Sequence, residues 1–502
     1  MLGGIHSESA ADETKLDGTH RQISLESILL LAFAIALGAW FRFANLGGSE
    51  LDGDEAVSWR AASASTLAEV ARLHDKMNRG KLPIYSIALH LWLKLFGQSE
   101  AALRGLSATL GILVIALVWF AVYEAVRVPS LRTPEAPVDS IDASVAAGMC
   151  ALITAASLVM IRYSREARMY PLMLTMTLAQ VGFLMRAARR GGFANYAATA
   201  IFTALAIAVN FTASLAVAAE FAWLAWIFYR HAGGTSSLRV WRLGAALAVG
   251  VGLLGPFARG IGLLEQGVSS GMLEWISPPR VVDLIRTYES TNGGWVFAFL
   301  AIVSVWGCVK MWNSRQDLLV FGLLWMWLPP ILTLVGSYLF FPMNPPRYSL
   351  SSFVGFFMLA AVALASIRNL RMRYALTGVL VLLMIGRVNY YNTKPRDSQF
   401  REAAALALKV APGAGRVGVA SYESSYSSTL FYFSQQQRSD VIELPPSGPI
   451  PAAVTKIDAL ILPDDMPAAD IARYRALFPQ LEGLPAQSSQ QYGFGRLSHR
   501  CG

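Results

Sequence analysis

Two short stretches hold the residue types that do chemistry. The first is LDGDEAVSWR, Leu51 to Arg60, which sets Asp52, Asp54 and Glu55 within four positions, just after an apolar run. A carboxylate at the edge of an apolar region can act as general base toward an acceptor hydroxyl or amine. The same acids can equally form a solvated turn that caps the following helix. The second stretch is IRYSREARMY, where Arg162, Arg165 and Arg168 recur every three residues beside Glu166. On a helix that spacing gathers the three guanidinium groups on one side.

The surroundings of these residues are strongly apolar. Of 502 residues, 54% are hydrophobic and 15% charged, with a mean hydropathy of +0.44. Soluble chains carry roughly 25% charged residues. Several apolar stretches reach the length that crosses a bilayer, so the sequence predicts a polytopic α-helical membrane protein. The net charge of +9 then follows from Arg-rich cytoplasmic loops and attraction to anionic lipid. No basic patch alternates with exposed aromatics, as a nucleic-acid surface requires. Cys150 and Cys308 fall in apolar runs and Cys501 is next to last, with no CxxC and no HExxH in the sequence. That pattern argues against a disulfide framework and against a strong zinc site. ISLESILLLAFAIALGAWF reads as a first membrane helix rather than a cleaved signal.

Eleven spans are expected, over 24–43, 103–126, 144–161, 169–186, 195–210, 213–229, 240–257, 294–311, 318–336, 348–366 and 374–391. The even-numbered exits carry the cations: Arg127 and Arg132, then Arg186, Arg189 and Arg190, Arg230, Arg239 and Arg242, Lys310 and Arg315, and Arg368, Arg371 and Arg373. With these in the cytoplasm, LDGDEAVSWR and IRYSREAR face outside, together with the tail. The arginines of the second stretch run against that charge rule. Such a placement points to a ligand, with snorkelling as the plainer account. In the first outside loop, 44–102, TLAEVARLHDKM and LPIYSIALHLWLKLFG predict amphipathic, interfacial helices. His74 and His90 on them read as packed side chains rather than ligands. MLEWISPPRVVDLIRTYES, 272–290, predicts another surface helix. In the tail, RVGVAS and DALILP read as strands, and SYSSTLFYFSQQ and AADIARYRALF as helices. The expected organisation is a transmembrane catalytic domain, 1–391, followed by a small α/β domain, 392–502. GAGRVG precedes its strand rather than following one, which fails the dinucleotide-binding context.

Four motifs in order, all assigned to one side, carry a resemblance. They are the DE pair after the first span, NRGKLPIYSIALHLWLKLFGQSEAALRG, IRYSREARMYPLMLTM and FPMNPPRYSLSSF. The set resembles the GT-C superfamily of membrane glycosyltransferases. Within it the likeness is to the family-39-like group, which includes the protein O-mannosyltransferases and the lipid A aminoarabinose transferase. It is strong over 24–186, weaker over 187–400 and nearly absent in the tail. The resemblance implies a polyprenyl-phosphate sugar as donor, and a glycolipid, cell-envelope glycan or protein as acceptor outside a bacterial inner membrane. It implies Asp54 as catalytic base, Glu55 as its partner and Glu166 as a second acidic position. It further implies Lys81, Arg165, Arg168, Tyr170, Arg347 and Tyr348 around the donor phosphate. Relatives often read His-Pro-Pro or Lys-Pro where this chain reads Lys81-Leu82-Pro83. Arg and Lys at such a position stabilise a leaving phosphate as charge develops on it. Asp52, Asp54, Glu55 and His74 have the ligand types to hold a divalent cation, though nothing demands one. Arg104, four after Glu100, reads as half of a helix-surface pair.

Two other functions compete with a transferase. A transporter or flippase of a lipid-linked sugar would set ionisable residues at mid-membrane depth, and here they gather at one face. A non-catalytic protein that binds glycan through its tail would be indifferent to loss of Asp54.

Overall fold

The computed structural model describes residues 23–78, 81–128, 141–230, 235–254, 278–340, 343, 345–392, 400–410, 416–420, 423–437, 441–445, 457–462 and 468–478. The chain opens with α1 (Leu25–Phe43), capped by the Ser24 hydroxyl. Three short helices follow, α2 (Gly53–Ala62), α3 (Leu67–Met77) and α4 (Ile84–Phe96), before the long α5 (Glu100–Val126). Then come α6 (Ala143–Ala156), α7 (Leu158–Ser164), α8 (Tyr170–Arg190), α9 (Phe193–Val209), α10 (Ser214–Arg230) and α11 (Thr235–Gly252). The later half holds α12 (Asp283–Asn292), α13 (Gly294–Ser314), α14 (Gln316–Leu339), the single turn α15 (Pro345–Tyr348), α16 (Ser352–Ala365) and α17 (Leu370–Asn392). The tail contains α18 (Phe400–Val410), β1 (Val417–Ala420), α19 (Glu423–Ser434), β2 (Val441–Leu444), β3 (Ala459–Ile461) and α20 (Ala468–Leu477).

All eleven stretches expected to span are helical. Among the described residues, seven helices are long and apolar enough to cross a membrane, or eight if the bent pair α6–α7 counts as one broken span. The bend is 62°, at Ser157, so the stretch 144–161 is not one continuous span. Residues 255–257 of the seventh expected stretch, and 272–277 of the expected surface helix, lie outside the described residues. α16 is buried on every face and α6 nearly so. Their all-round apolar sequences are what a bundle centre requires.

The bundle has two distinct ends. At one, the buried Glu124 carboxylate accepts from Arg186 at 3.0 Å and Arg189 at 2.6 Å. Arg373 pairs with Glu26 at 3.0 Å, and Arg315 donates to the carbonyl of Val126. These are the cation-rich exits, joined as alternating crossings demand. The other end gathers α2, the turn 165–169, α15 and the tail.

The tail sheet is parallel, in the order β2-β1-β3. β2, the sequence VIEL, was not expected from the sequence, whereas α2 is the helix that the capping alternative allowed. The tail rests on the first loop through α19. Trp59 packs edge-on against Phe431 with ring centroids 5.2 Å apart, and Arg60 lies over the Tyr426 ring at 4.7 Å. The Tyr432 hydroxyl accepts the backbone N–H of Leu51 at 2.9 Å.

Candidate active site

The acidic stretch folds as the first turn of α2, and its two central acids part company there. Asp52 takes the N-cap position. Glu55, at the third helical position, reaches back to accept the Asp52 backbone N–H at 3.0 Å. Glu55 is fully buried, and Arg104 grips it with two bonds, Nε to Oε1 at 2.8 Å and Nη2 to Oε2 at 2.7 Å. The Ala167 N–H adds a fourth contact at 3.0 Å. Burial alone would raise the Glu55 pKa, but Arg104 and the two backbone donors hold it below its ordinary value. Arg104 also donates to the carbonyls of Leu46, Ser49 and Glu50. It is therefore not the surface partner of Glu100, which pairs instead with Arg401 at 2.7 Å. One buried guanidinium ties the end of the first span, the acidic helix and α5 together.

Asp54 points the other way. Its side chain is 44% exposed, and its Oδ2 lies 3.7 Å from Arg168 and 3.4 Å from Arg347. Both distances exceed the roughly 2.7–2.9 Å of a direct charge-assisted bond. Arg168 also donates to the Asp54 backbone carbonyl at 3.1 Å, and Ser58 donates to the same carbonyl at 3.1 Å. Arg347 lies over the Tyr170 ring at 5.9 Å. Tyr348 turns its ring toward Phe211, 6.4 Å away.

The three arginines of the second stretch do not share a helix face, because α7 ends at Ser164 and the chain turns. Arg162 pairs with Glu166 at 3.3 Å. Arg165 donates to the carbonyls of Phe41, Ala44 and Asn45, closing the C-terminus of α1. Only Arg168 reaches Asp54. Burial pushes the Glu166 carboxyl pKa up, against the pull of Arg162 and Arg347. The turn itself is pinned by Ser107, which donates to the Arg168 carbonyl at 3.2 Å.

That turn depends on a close approach beneath it. The buried Arg42 donates to Ser164 Oγ and to the Ala155 carbonyl freed by the α6–α7 bend. Gly111 makes room for this pair: a Cβ there would lie 2.2 Å from Ser164 Oγ and 2.9 Å from Arg42 Nε.

Lys81 and His74 sit in a small pocket beside Arg168, lined also by Ser58, Tyr85 and Ser86. Burial, with Arg168 and Arg347 nearby and Asp54 opposing, pushes the Lys81 pKa down to about 7. His90 is a packed side chain, its Nδ1 on the Ala62 carbonyl at 2.8 Å. Among the described residues no group of three or more His, Cys, Asp or Glu is arranged to hold a metal ion. Glu55 is committed to Arg104, and the His74 ring turns to Ser86.

No family model and no curated protein matches the chain. Among solved structures it is similar to ArnT, an aminoarabinose transferase, from Cupriavidus metallidurans bound to undecaprenyl phosphate. The TM-score is 0.51 at 13% identity, over 90% of this chain and 88% of that one. The apo state of the same protein gives 0.52 at 13% identity, over 83% and 85%. The fold is that of the GT-C membrane glycosyltransferases. A likeness to the Archaeoglobus fulgidus oligosaccharyltransferase with Zn and sulfate has a TM-score of 0.48 and 11% identity, over 80% of this chain. This chain spans 61% of that protein's length.

On this frame the end of the bundle opposite the cation-rich exits collects Asp54, Lys81, Arg168, Tyr170, Arg347 and Tyr348. Arg165 and Glu55 stand just behind them, spent on backbone and on Arg104. Sequence reasoning gave Tyr432 no such place, read Arg104 as half of a helix-surface pair, and offered His74 as packing or as a ligand to a divalent cation. Arg104 had a signal: a lone cation followed by GLSATLGILV, where only a buried partner makes the charge tolerable.

Proposed function

We propose that the protein is an integral membrane glycosyltransferase that moves a sugar from a polyprenyl-phosphate donor to an acceptor at the outer face. The observation that carries this reading is Asp54 Oδ2 standing between Arg168 and Arg347, 3.7 and 3.4 Å away, beside the pocket of Lys81. A base and a set of phosphate-binding cations within one site are the two halves of a displacement at an anomeric carbon. The GT-C fold supports it, and so does the undecaprenyl phosphate bound by ArnT.

In the proposed step the acceptor hydroxyl or amine attacks the anomeric carbon as Asp54 takes its proton. The bond from that carbon to the phosphate oxygen breaks, and its electron pair leaves with the polyprenyl phosphate. A single displacement inverts the anomeric configuration. Lys81, Arg168 and Arg347 stabilise the charge that grows on the phosphate. Glu55, Arg104 and Arg165 position this machinery. Glu166 is half-buried beside Arg162, and burial raises its carboxyl pKa. The cation-rich end of the bundle lies in the cytoplasm and the site faces the periplasm of a bacterial inner membrane.

One observation favours the transporter. Glu220, buried inside α10, accepts from Gln180 at 2.6 Å, and an intramembrane acid is what a proton-coupled carrier uses. Its single amide partner and its distance in sequence from every motif make it the weaker account.

The deciding experiment is mass spectrometry of membrane lipids from an intact host, a deletion, and a deletion carrying Asp54→Asn at matched expression. A polyprenyl-phosphate sugar accumulating in both altered strains is the expected result, and it identifies the sugar. Asp54→Asn behaving like the intact strain would remove Asp54 as base and move the transporter ahead.

A further inference from the structure

Deep in the bundle, outside every motif that marks the candidate site, an acid and an amide meet. Glu220 of α10 is 0% exposed and Gln180 of α8 is 1% exposed. Gln180 Nε2 donates to Glu220 Oε2 at 2.6 Å. Gln180 lies ten residues past Tyr170, at the candidate-site end of α8, and Glu220 ten residues before Arg230, at the cation-rich end of α10. Each is therefore about 15 Å along its helix from an end of the bundle, close to the middle of a hydrocarbon core about 30 Å thick. The other oxygen of each group is unmatched: Glu220 Oε1 and Gln180 Oε1 are buried with no hydrogen-bond partner. Among the described residues no other buried side-chain oxygen of these two helices lacks one, and Glu220 makes no ion pair. An ionised carboxylate only accepts, and so does an amide oxygen. Two buried acceptors without a donor, one of them charged, are an arrangement that a membrane interior strongly disfavours. A single proton resolves it, because a carboxylic acid carries one O–H donor beside its carbonyl oxygen.

We propose that Glu220 and Gln180 form a proton-binding site: the carboxyl is held neutral, its Oε1–H donating to Gln180 Oε1 while its Oε2 accepts the Gln180 amide. Two hydrogen bonds then close a ring, and both stranded oxygens are satisfied. The bound species is a proton rather than a metal ion, since a hard metal cation gathers about six oxygens and the two helices offer two. The ring joins α8 to α10 across the whole of α9 in sequence. α8 begins at Tyr170, so the same fastening fixes the helix beneath the candidate site. The inference stands apart from the glycosyltransferase reading. It turns the one observation that favours a proton-coupled carrier into a fixed structural bond, because a proton committed to Gln180 is not in transit.

The test is infrared difference spectroscopy of the full chain in detergent at neutral pH, wild type against Glu220→Gln and Gln180→Leu. A carboxylic-acid C=O band is expected that Glu220→Gln abolishes and Gln180→Leu shifts. A carboxylate band lost in Glu220→Gln instead would show the group ionised and overturn the proposal. Melting gives a second reading. Glu220→Gln keeps a donor and an acceptor on the ring and is expected to melt with wild type, whereas Glu220→Leu strands the Gln180 amide and is expected to melt lower. Equal melting of Glu220→Leu and wild type would remove the fastening. Sodium chloride raising the melting temperature of wild type above that in choline chloride, but not that of Glu220→Gln, would make this a metal site. A Glu220→Gln variant that melts like wild type, yet leaves the host with the lipid phenotype of the deletion, would make the acid a working carrier. Asp54→Asn leaves the acid band where it is, so this inference and the glycosyltransferase reading fail separately.

Discussion

The hydroxyl of Tyr432 holds the backbone N–H of Leu51 at 2.9 Å, across 381 positions of sequence. Leu51 immediately precedes the N-cap of the helix that carries Asp54, so a residue of the tail fixes the start of the acidic helix. Tyr432→Phe leaves that buried N–H without its partner. We expect a loss of about 1–3 kcal/mol, read as a lowered melting temperature, with affinity for farnesyl phosphate, a short polyprenyl phosphate, retained because Lys81, Arg168 and Arg347 are untouched.

The adjacent acids should respond in opposite ways to the same conservative change. Glu55→Gln leaves Arg104 buried with its charge uncompensated, a loss of about 3–5 kcal/mol. Asp54→Asn, at a half-exposed position, should melt within about 0.5 kcal/mol of wild type and lose transfer. Thermal unfolding of both variants, beside the lipid analysis, separates the positioning acid from the base. Equal stability of the two would undo that division.

Lys81 should give the site a pH dependence of definite sign. Its ammonium, with the pKa pushed down to about 7, loses its proton as pH rises through that value, and a bound phosphate draws the proton back. The phosphate's own second ionisation, near 6, is finished by about pH 7.5. Above that, affinity for farnesyl phosphate should fall by up to about tenfold per pH unit. Lys81→Arg should flatten the profile, since a guanidinium stays charged. The ligand-free fold should move oppositely, gaining stability from about pH 7 toward 10, where only the unfolded chain holds the extra proton.

Gly111→Ala forces a methyl group against Ser164 and Arg42, the pair that supports the turn bearing Arg165, Glu166 and Arg168. Overpacking of this kind costs about 1–3 kcal/mol. Farnesyl phosphate affinity should fall together with the melting temperature, although Gly111 lies outside the pocket. A stable variant with unchanged affinity would mean the turn does not depend on this contact.

Much of the fold was legible because long apolar runs leave a chain few choices: the described part of every expected stretch is mainly helix, though 144–161 is broken by the bend at Ser157. The acidic stretch was legible as a pair of alternatives: the capping one is seen in Asp52 and Glu55, while Asp54 faces the arginines, where its role as base is the proposal. What escaped depended on partners far away in sequence. The spacing of Arg162, Arg165 and Arg168 suggests a shared face, but the bend at Ser157 and the end of α7 at Ser164 send each to a different target. Arg104 reads as a surface residue until Glu55 is brought to it. β2 is four residues long and carries a glutamate, so its alternation is too brief to register. His74 looks like packing, because only the fold brings it beside Lys81 and Arg168.

The bond between Leu51 and Tyr432 also orders events during biosynthesis. Synthesis runs from the amino terminus, so the acidic helix is made long before the tail segment that steadies it. Through most of membrane insertion, Asp54 belongs to a helix whose final brace is still on the ribosome. A nascent chain stalled before residue 423 would display the site without its support. The acidic helix therefore reaches its final, braced form only after the chain has been made past residue 432.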